Sequence, residues 1–198
     1  MTRVRISGLA SVRLLALAGA LSAASCATRA APARLPAAHL ESTDGHARDF
    51  PDAMRGARFT VLEFFSAHCP VQSAHDARLR ALASDVGARG VTFFAVDSEI
   101  DASVERDRAE AAARGFTFPI LVDTGARLAD ALGVDYATYT VIVDQEGRVR
   151  YRGGLDDDKT HLRDDAAMYV KDALEDLLAG REPRIAEGKT LGCALRKR

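Results

Sequence analysis

The chain has 198 residues, 47% of them hydrophobic and 28% charged, which is the size and composition of one globular domain with a buried core. Its 27 basic and 28 acidic residues leave a net charge near zero, so composition gives no reason to expect nucleic acid as a partner. The sequence contains no Walker loop, GxGxxG or HExxH motif, and we expect no cofactor.

Residues 1–25 are typical of an export signal. An arginine-rich start without acidic residues is followed by the apolar stretch Leu14–Leu21 and by the small residues SAAS, which end at Cys26. The apolar stretch is too short to span a membrane, which argues against an uncleaved anchor. Small residues before a cysteine resemble a bacterial lipoprotein signal, although Ala23 stands where such signals usually have leucine.

Cleavage before Cys26 would make this cysteine the lipidated first residue, so we expect an exported protein that a lipid anchor holds at a membrane. Because Ala27 is not the aspartate that often retains lipoproteins at the inner membrane, we expect the periplasmic face of the outer membrane. The alternative is cleavage near Ala24 or Ala27, which would release a soluble periplasmic protein. Both alternatives place the chain in a compartment where disulfides can form.

The rest of the chain divides into three segments. Residues 26–39 are rich in alanine, proline and arginine without periodicity and predict a flexible tether. Residues 40–180 predict the folded domain, in which Thr43–Gly45 marks a turn between two short strands, and residues 181–198 form a tail with Cys193. The further predicted strands are Phe59–Phe65, Val91–Asp97, Phe118–Asp123 and a hairpin within Thr140–Gly153, and the predicted helices begin at Pro70, Asp101, Ala126 and Ala166.

This order of elements predicts an α/β protein. Alternating strands and helices favour parallel pairing with right-handed crossovers, and the closing hairpin adds antiparallel strands. A central mixed β-sheet flanked by helices, with such an ending, is the plan of the thioredoxin-like fold.

Cys69 lies between the predicted strand Phe59–Phe65 and the helix that begins at Pro70. Unpaired backbone N–H groups and the helix dipole at this position favour negative charge, which lowers the pKa of a thiol. The resulting thiolate can attack a disulfide or an O–O bond. An inert buried cysteine is the alternative. The apolar face of the helix is predicted from Val71, His75, Leu79, Leu82 and Val86.

Gln72 occupies the position, three residues after Cys69, where a second cysteine would complete a local disulfide. Three possibilities remain: Cys69 acts alone with an external thiol, pairs with Cys193, or binds a metal. The tail is long enough for Cys193 to reach the start of the helix. Cys193 could then resolve a sulfenic acid on Cys69, or it could be a tail cysteine of no consequence.

Four stretches in chain order resemble one known family: HCPVQSAHDARL at the helix start, GVDYATYTVIVDQEGRVRYRGGLDD at the hairpin, DALEDLLAGREP in the last helix, and TLGCALRKR in the tail. They are similar to the peroxiredoxin-like branch of the thioredoxin superfamily, the alkyl hydroperoxide reductase/thiol-specific antioxidant or redoxin group. The resemblance implies a thiol-dependent oxidoreductase that reduces peroxide or oxidised protein thiols with electrons from an external thiol reductant.

By this resemblance Cys69 is the peroxidatic cysteine. Ser66 stands where peroxiredoxins have a threonine whose hydroxyl orients the peroxide, and serine offers the same donor and acceptor. Thr138 stands where thioredoxins have a cis-proline and peroxiredoxins an arginine that helps to hold the thiolate. Leu62 replaces a proline of peroxiredoxins. The chain therefore departs from the family pattern at both positions.

Three further side chains are candidates for roles near the thiol. His68, as an imidazolium, would stabilise a thiolate, or it could be a loop histidine with little effect. Glu63 interrupts a buried strand, and a buried carboxyl group with a raised pKa can exchange protons with a nearby thiol. His75 lies on the apolar helix face and is interpreted as a packed histidine, and Asp156–Asp158 as a solvated loop.

Two alternatives to the peroxiredoxin-like function remain open. One is a thiol–disulfide oxidoreductase that uses Cys69 and Cys193. The other is a metal-binding or scaffold lipoprotein without turnover, for which Cys69, His68 and His75 are the candidate copper ligands.

Overall fold

A mixed eight-stranded β-sheet organises the part of the chain that the computed structural model describes, which is Met1 and residues 34–197. The predicted export signal, Cys26 and most of the predicted tether lie outside these residues. The strands are β1 Ala38–Ser42, β2 Arg48–Phe50, β3 Phe59–Phe65, β4 Val91–Asp97, β5 Ile120–Val122, β6 Tyr139–Asp144, β7 Val149–Gly154 and β8 Glu187–Gly188. The helices are α1 Pro70–Gly87, α2 Val104–Arg114, α3 Arg127–Leu132 and α4 Tyr169–Leu178, with one 3₁₀ turn at Asp52–Met54.

The strand order β2-β1-β5-β4-β3-β6-β7-β8 places β3 at the centre of the sheet. β3 pairs in parallel with β4 and antiparallel with β6, and β4 pairs in parallel with β5. The carboxyl ends of β3, β4 and β5 therefore share one edge of the sheet. This confirms the predicted α/β class with a mixed, thioredoxin-like sheet.

Alternate residues of β3 supply two hydrophobic cores. On one face Val61 and Phe65 pack with buried residues of α1 and α4, such as Leu79 and Leu174. On the other face Leu62 and Phe64 belong to a cluster that contains buried residues of α3. The strand is buried on both sides, which explains its nearly continuous apolar sequence.

The structure corrects three details of the predicted helices. α2 begins at Val104, because the Ser103 hydroxyl caps it by accepting the Arg106 N–H at 3.2 Å. α4 begins at Tyr169 rather than Ala166, since the preceding loop is tied back by the Ala167 N–H donating to Asp157. On α1 the buried positions are Val71, Gln72, His75, Leu79, Ala83 and Val86, and Leu82 is half-buried.

The two short strands predicted around Thr43–Gly45 form β1 and β2, which pair antiparallel with Leu40 opposite Arg48. β8 was not predicted. It lies in the tail and pairs in parallel with β7, with Gly153 opposite Gly188. A side chain at Gly153 would overlap the backbone of Gly188, so this pairing requires glycine. None of the described helices has the length and apolar composition needed to cross a membrane.

The interpretation of Asp156–Asp158 as a solvated loop is wrong. Asp156 and Asp158 are 3% and 4% exposed. The Asp156 carboxylate lies 3.0 Å from Nε2 of His75, and Arg78 binds both carboxylates at 2.7 and 2.8 Å. The loop is therefore fixed to α1 by buried charges, a result of contacts some 80 residues apart that local sequence does not reveal.

His75 is packed, as predicted, and its surroundings favour the charged imidazolium. Nδ1 lies 2.6 Å from the Val71 carbonyl, so both ring nitrogens face acceptors and both are donors in the imidazolium. Burial disfavours this charge, but the hydrogen bonds to Asp156 and Val71 and the charge of Asp156 outweigh it and raise the pKa of His75. Burial likewise opposes the charge of Asp156, but its partners lower its pKa.

We expect His75→Gln to destabilise the protein by about 3 kcal/mol at pH 6, because it removes one partner of a buried ion pair. A raised histidine pKa contributes stability that is complete below the unfolded pKa and is lost as the pH rises through the folded pKa. The loss of stability caused by His75→Gln should therefore be smaller at pH 9. Urea unfolding at both pH values, with exposed His161→Gln as control, measures it, and an equal deficit at pH 6 and pH 9 would contradict the charged pair.

Candidate functional site

Cys69 is the N-cap residue of α1, just beyond the carboxyl end of β3. Pro70 occupies the first helical position, where its missing N–H costs nothing. The Cys69 sulfur accepts the backbone N–H of Gln72 at 3.5 Å, as a capping oxygen would. The sulfur therefore sits at the positive end of the helix dipole, as the sequence predicted, where a thiolate is favoured over a thiol.

Cys193 forms a disulfide with Cys69 across a sequence separation of 124 residues, with their Cα atoms 5.7 Å apart. The backbone N–H of Cys193 also points at the Cys69 sulfur, at 3.3 Å. Cys69 therefore has a partner thiol from the tail. Of the possibilities left open by the sequence, the structure favours the two-cysteine arrangement over a cysteine that acts alone.

The two sulfur-bearing residues differ in exposure. Cys69 is 1% exposed, whereas Cys193 is half-buried. Cys69 is buried because it belongs to a hydrophobic cluster, and Cys193 packs against the same cluster. In the disulfide form, Cys193 is therefore the more exposed residue of the pair.

The tail reaches Cys69 by running along the segment before β6. The Ala137 N–H donates to the Cys193 carbonyl at 2.8 Å, and Tyr136 forms a β-bridge with Ala194. Gly192 makes this approach possible, because a side chain there would overlap the Ala137 carbonyl and lie 2.7 Å from the Thr138 hydroxyl oxygen. Gly192 is thus a site residue that the sequence indicated only through its place before Cys193.

Thr138 adopts a left-handed backbone conformation, with φ of 60°, and is 3% exposed. Its N–H donates to the Phe64 carbonyl at 2.8 Å, and this bond joins the residue before β6 to the end of β3. The predicted site residue therefore lies against Gly192, where it shapes the path of the tail.

The loop between β3 and α1 holds Ser66 and His68. Ser66 is 2% exposed, and its hydroxyl accepts the His68 N–H at 3.3 Å. The His68 ring is half exposed and lies 3.2 Å from Asp101. Arg114, which was not predicted, donates to the Ala67 carbonyl at 3.0 Å and so fixes this loop to the end of α2.

Glu63 is fully buried in β3, and neither of its carboxyl oxygens has a hydrogen-bond partner among the described residues. Burial, with a smaller contribution from the charge of Asp76, raises its pKa to about 8, although Gln72 and Arg114 act in the opposite direction. The same Gln72 gives its backbone N–H to the Cys69 sulfur. A carboxyl group that holds a proton at neutral pH therefore lies behind the first turn of α1.

The copper site predicted as an alternative from Cys69, His68 and His75 is not formed, since Cys69 is in a disulfide and the His75 ring is occupied by Val71 and Asp156. Within residues 34–197, His68, Glu99 and Asp101 are the group whose ligand atoms lie within 4.8 Å of one another. The guanidinium of Arg196 is paired with both carboxylates of this group, so its positive charge already balances them.

This arrangement defines a thiol redox domain of thioredoxin-like fold. The chain matches the family model for Redoxin over residues 30–170, and it belongs to the Redoxin family. Among the curated proteins, no sequence matches the chain.

Several solved structures share the fold. An uncharacterized conserved protein from Geobacillus kaustophilus is 26% identical, with a TM-score of 0.77 over 85% of this chain and 92% of that chain. Peroxiredoxin Q from Xanthomonas campestris is 18% identical, with a TM-score of 0.52 over 72% and 88%. The thioredoxin domain of a thiol-disulfide oxidoreductase from Bacteroides vulgatus is 16% identical, with a TM-score of 0.54 over 63% and 89%.

We expect Gly192→Ala to impair the Cys69–Cys193 disulfide, because the added methyl group pushes the tail away from Ala137 and Thr138. The fraction of linked peptide in the air-oxidised protein, measured by mass spectrometry without reduction, should fall at least threefold. Gly87→Ala, where an added Cβ meets nothing within 4 Å, is the control. Complete disulfide formation in Gly192→Ala would contradict the close approach.

Proposed function

We propose that the protein is a thiol-dependent peroxidase in which Cys69 reduces a hydroperoxide and Cys193 then closes a disulfide. The observation that carries this proposal is the Cys69 sulfur at the N-terminus of α1, with two backbone N–H groups directed at it and Cys193 in bonding position. Membership of the Redoxin family supports a thiol redox function, and the likeness to peroxiredoxin Q is consistent with peroxide as the oxidant.

The reaction has three steps. The Cys69 thiolate attacks the terminal oxygen of ROOH, the O–O bond breaks, and with one proton the products are Cys69 sulfenic acid and ROH. The Cys193 thiol attacks the sulfenic sulfur, and a disulfide and water are formed. Two external thiols reduce the disulfide by exchange and leave as their own disulfide.

The structure supports a thiolate at Cys69 through charge–dipole interaction. The N–H groups of Gln72 and Cys193 lie 3.5 and 3.3 Å from the sulfur, and such donors favour the charged form. This arrangement stands in for the arginine that peroxiredoxins have where this chain has Thr138.

Glu63 is the proposed proton exchanger of the site. With a pKa raised to about 8 by burial, it holds a proton at neutral pH and releases it in the range where thiols titrate. In the closing step it would give its proton to the oxygen that leaves the Cys69 sulfenic acid as water.

A second candidate function is disulfide exchange with oxidised protein thiols. The half-buried Cys193 favours this function, because a thiol of the pair attacks the substrate disulfide and the second thiol then releases the reduced substrate, which requires the pair to be within reach of another protein. The two functions differ in the oxidant that Cys69 accepts.

We expect Cys69→Ser to abolish reductant-dependent consumption of hydrogen peroxide, with a loss of at least 100-fold. Cys193→Ser should retain the first step and accumulate Cys69 with one or two added oxygens, since no thiol resolves the sulfenic acid. Peroxide assays and intact-mass measurements test both. Equal consumption by wild type and Cys69→Ser would remove the peroxidase, and oxidation of the wild type by a disulfide substrate alone would favour exchange.

We expect Glu63→Gln to stabilise the protein at pH 8 and to slow disulfide closure at pH 7 about tenfold. Between pH 4.5 and 8 the folded state keeps a proton that the unfolded state loses, so the wild type loses stability as the pH rises through this window. Each unit of pKa shift corresponds to about 1.4 kcal/mol. Urea unfolding at pH 5 and pH 8 and stopped-flow closure measure the two effects, and unchanged closure would exclude the proton role.

A further inference from the structure

The C-terminal clamp, defined as residues 193–197, is attached to the domain by contacts other than the disulfide. Three backbone hydrogen bonds hold it: the Ala137 N–H donates to Cys193 at 2.8 Å, the Leu195 N–H to Asp135 at 2.9 Å, and the Ile100 N–H to Arg196 at 2.8 Å. These bonds come from two separate loops, one that contains Ile100 and one that contains Asp135 and Ala137. None of them involves a sulfur atom.

Arg196 binds one side of the site by charge. Its guanidinium contacts the Glu99 carboxylate at 3.1 Å and the Asp101 carboxylate at 2.8 Å. The Glu99 side chain is only 1% exposed, and a carboxylate at such a position is unfavourable without a cation. If the clamp moved away, Glu99 would lose this cation. The ion pair therefore favours the docked position.

Lys197 binds the other side. Its ammonium group lies 2.9 Å from Asp130, 2.7 Å from Asp135 and 2.9 Å from the Val134 carbonyl. Between the two charged side chains, Leu195 is 8% exposed and belongs to the hydrophobic cluster that contains Cys69. Charge on both sides and an apolar anchor in the middle keep the clamp over the helix start.

We propose that Arg196 and Lys197 are specificity-determining residues, which keep the clamp docked in the dithiol state and so restrict the oxidant to small hydroperoxides. This inference rests on the proposed peroxidase function. In the disulfide state Cys69 is 1% exposed beneath the clamp. We expect a clamp that stays docked in the dithiol to admit hydrogen peroxide to the sulfur and to exclude a bulky organic hydroperoxide or the disulfide of a folded protein. The docked clamp also keeps Cys193 beside the sulfenic acid, which favours closure over further oxidation.

The first test asks whether the clamp stays docked without the disulfide. In Cys193→Ser the amide protons of Ala137, Leu195 and Ile100 should remain protected from hydrogen exchange, within threefold of the oxidised wild type. Adding Arg196→Gln and Lys197→Gln should lower the protection of the three amides at least tenfold. Loss of protection in Cys193→Ser itself would overturn the docked dithiol state.

The second test measures selectivity. Second-order rates of Cys69 oxidation are compared for hydrogen peroxide and cumene hydroperoxide, with Cys69→Ser as the blank. The wild type should react at least ten times faster with hydrogen peroxide, and this ratio should fall at least threefold in Arg196→Gln/Lys197→Gln. The control Arg55→Gln/Lys159→Gln removes two charges at exposed positions outside the clamp and should keep the wild-type ratio.

The outcomes separate the two proposals. Equal rates with both peroxides in the wild type, or an unchanged ratio in the clamp variant, would overturn the specificity role while leaving the peroxidase in place. No Cys69-dependent reaction with either peroxide would overturn the proposed function and the selectivity that rests on it, whereas protected amides in Cys193→Ser would still support a docked clamp.

Discussion

Two backbone N–H groups, from distant parts of the chain, converge on the sulfur of Cys69. One belongs to Gln72 in the first turn of α1, and the other to Cys193 in the tail. A helix start alone supplies the first donor to any N-cap residue. The second donor requires the tail to lie directly over the helix, and this requirement explains Gly192, the left-handed Thr138 and the charged contacts of Arg196 and Lys197.

The sequence was sufficient for the scaffold and for one half of the site. The β3 and β4 patterns, the helix that starts at Pro70 and the hairpin are local signals, and they place Cys69 correctly. The position of the tail depends on contacts between distant segments, such as Arg196 with Glu99. The spacing of apolar and polar residues along the sequence does not reveal such contacts. The sequence could therefore allow a disulfide with Cys193 but could not choose it over the alternatives.

Buried acids show how the fold gives one kind of side chain opposite properties. Asp156 is surrounded by His75 and Arg78 and remains a carboxylate, so its pKa is lowered although burial opposes this. Glu63 is buried among unpartnered polar groups in β3 and α1, so burial prevails and its pKa rises to about 8. From the sequence, Glu63 was recognised because it interrupts an apolar strand, whereas Asp156 resembled an ordinary polar loop.

The unequal exposure of the two cysteines has a consequence for how the disulfide would be reduced in the proposed cycle. In the proposed cycle an incoming thiolate approaches along the S–S axis. Because Cys193 is the more exposed residue of the pair, we expect the transient mixed disulfide to form there. Cys69 is then the leaving group, and the helix amide that stabilises it makes it the better one. On this route each reduction would release Cys69 as the anion that the helix start stabilises.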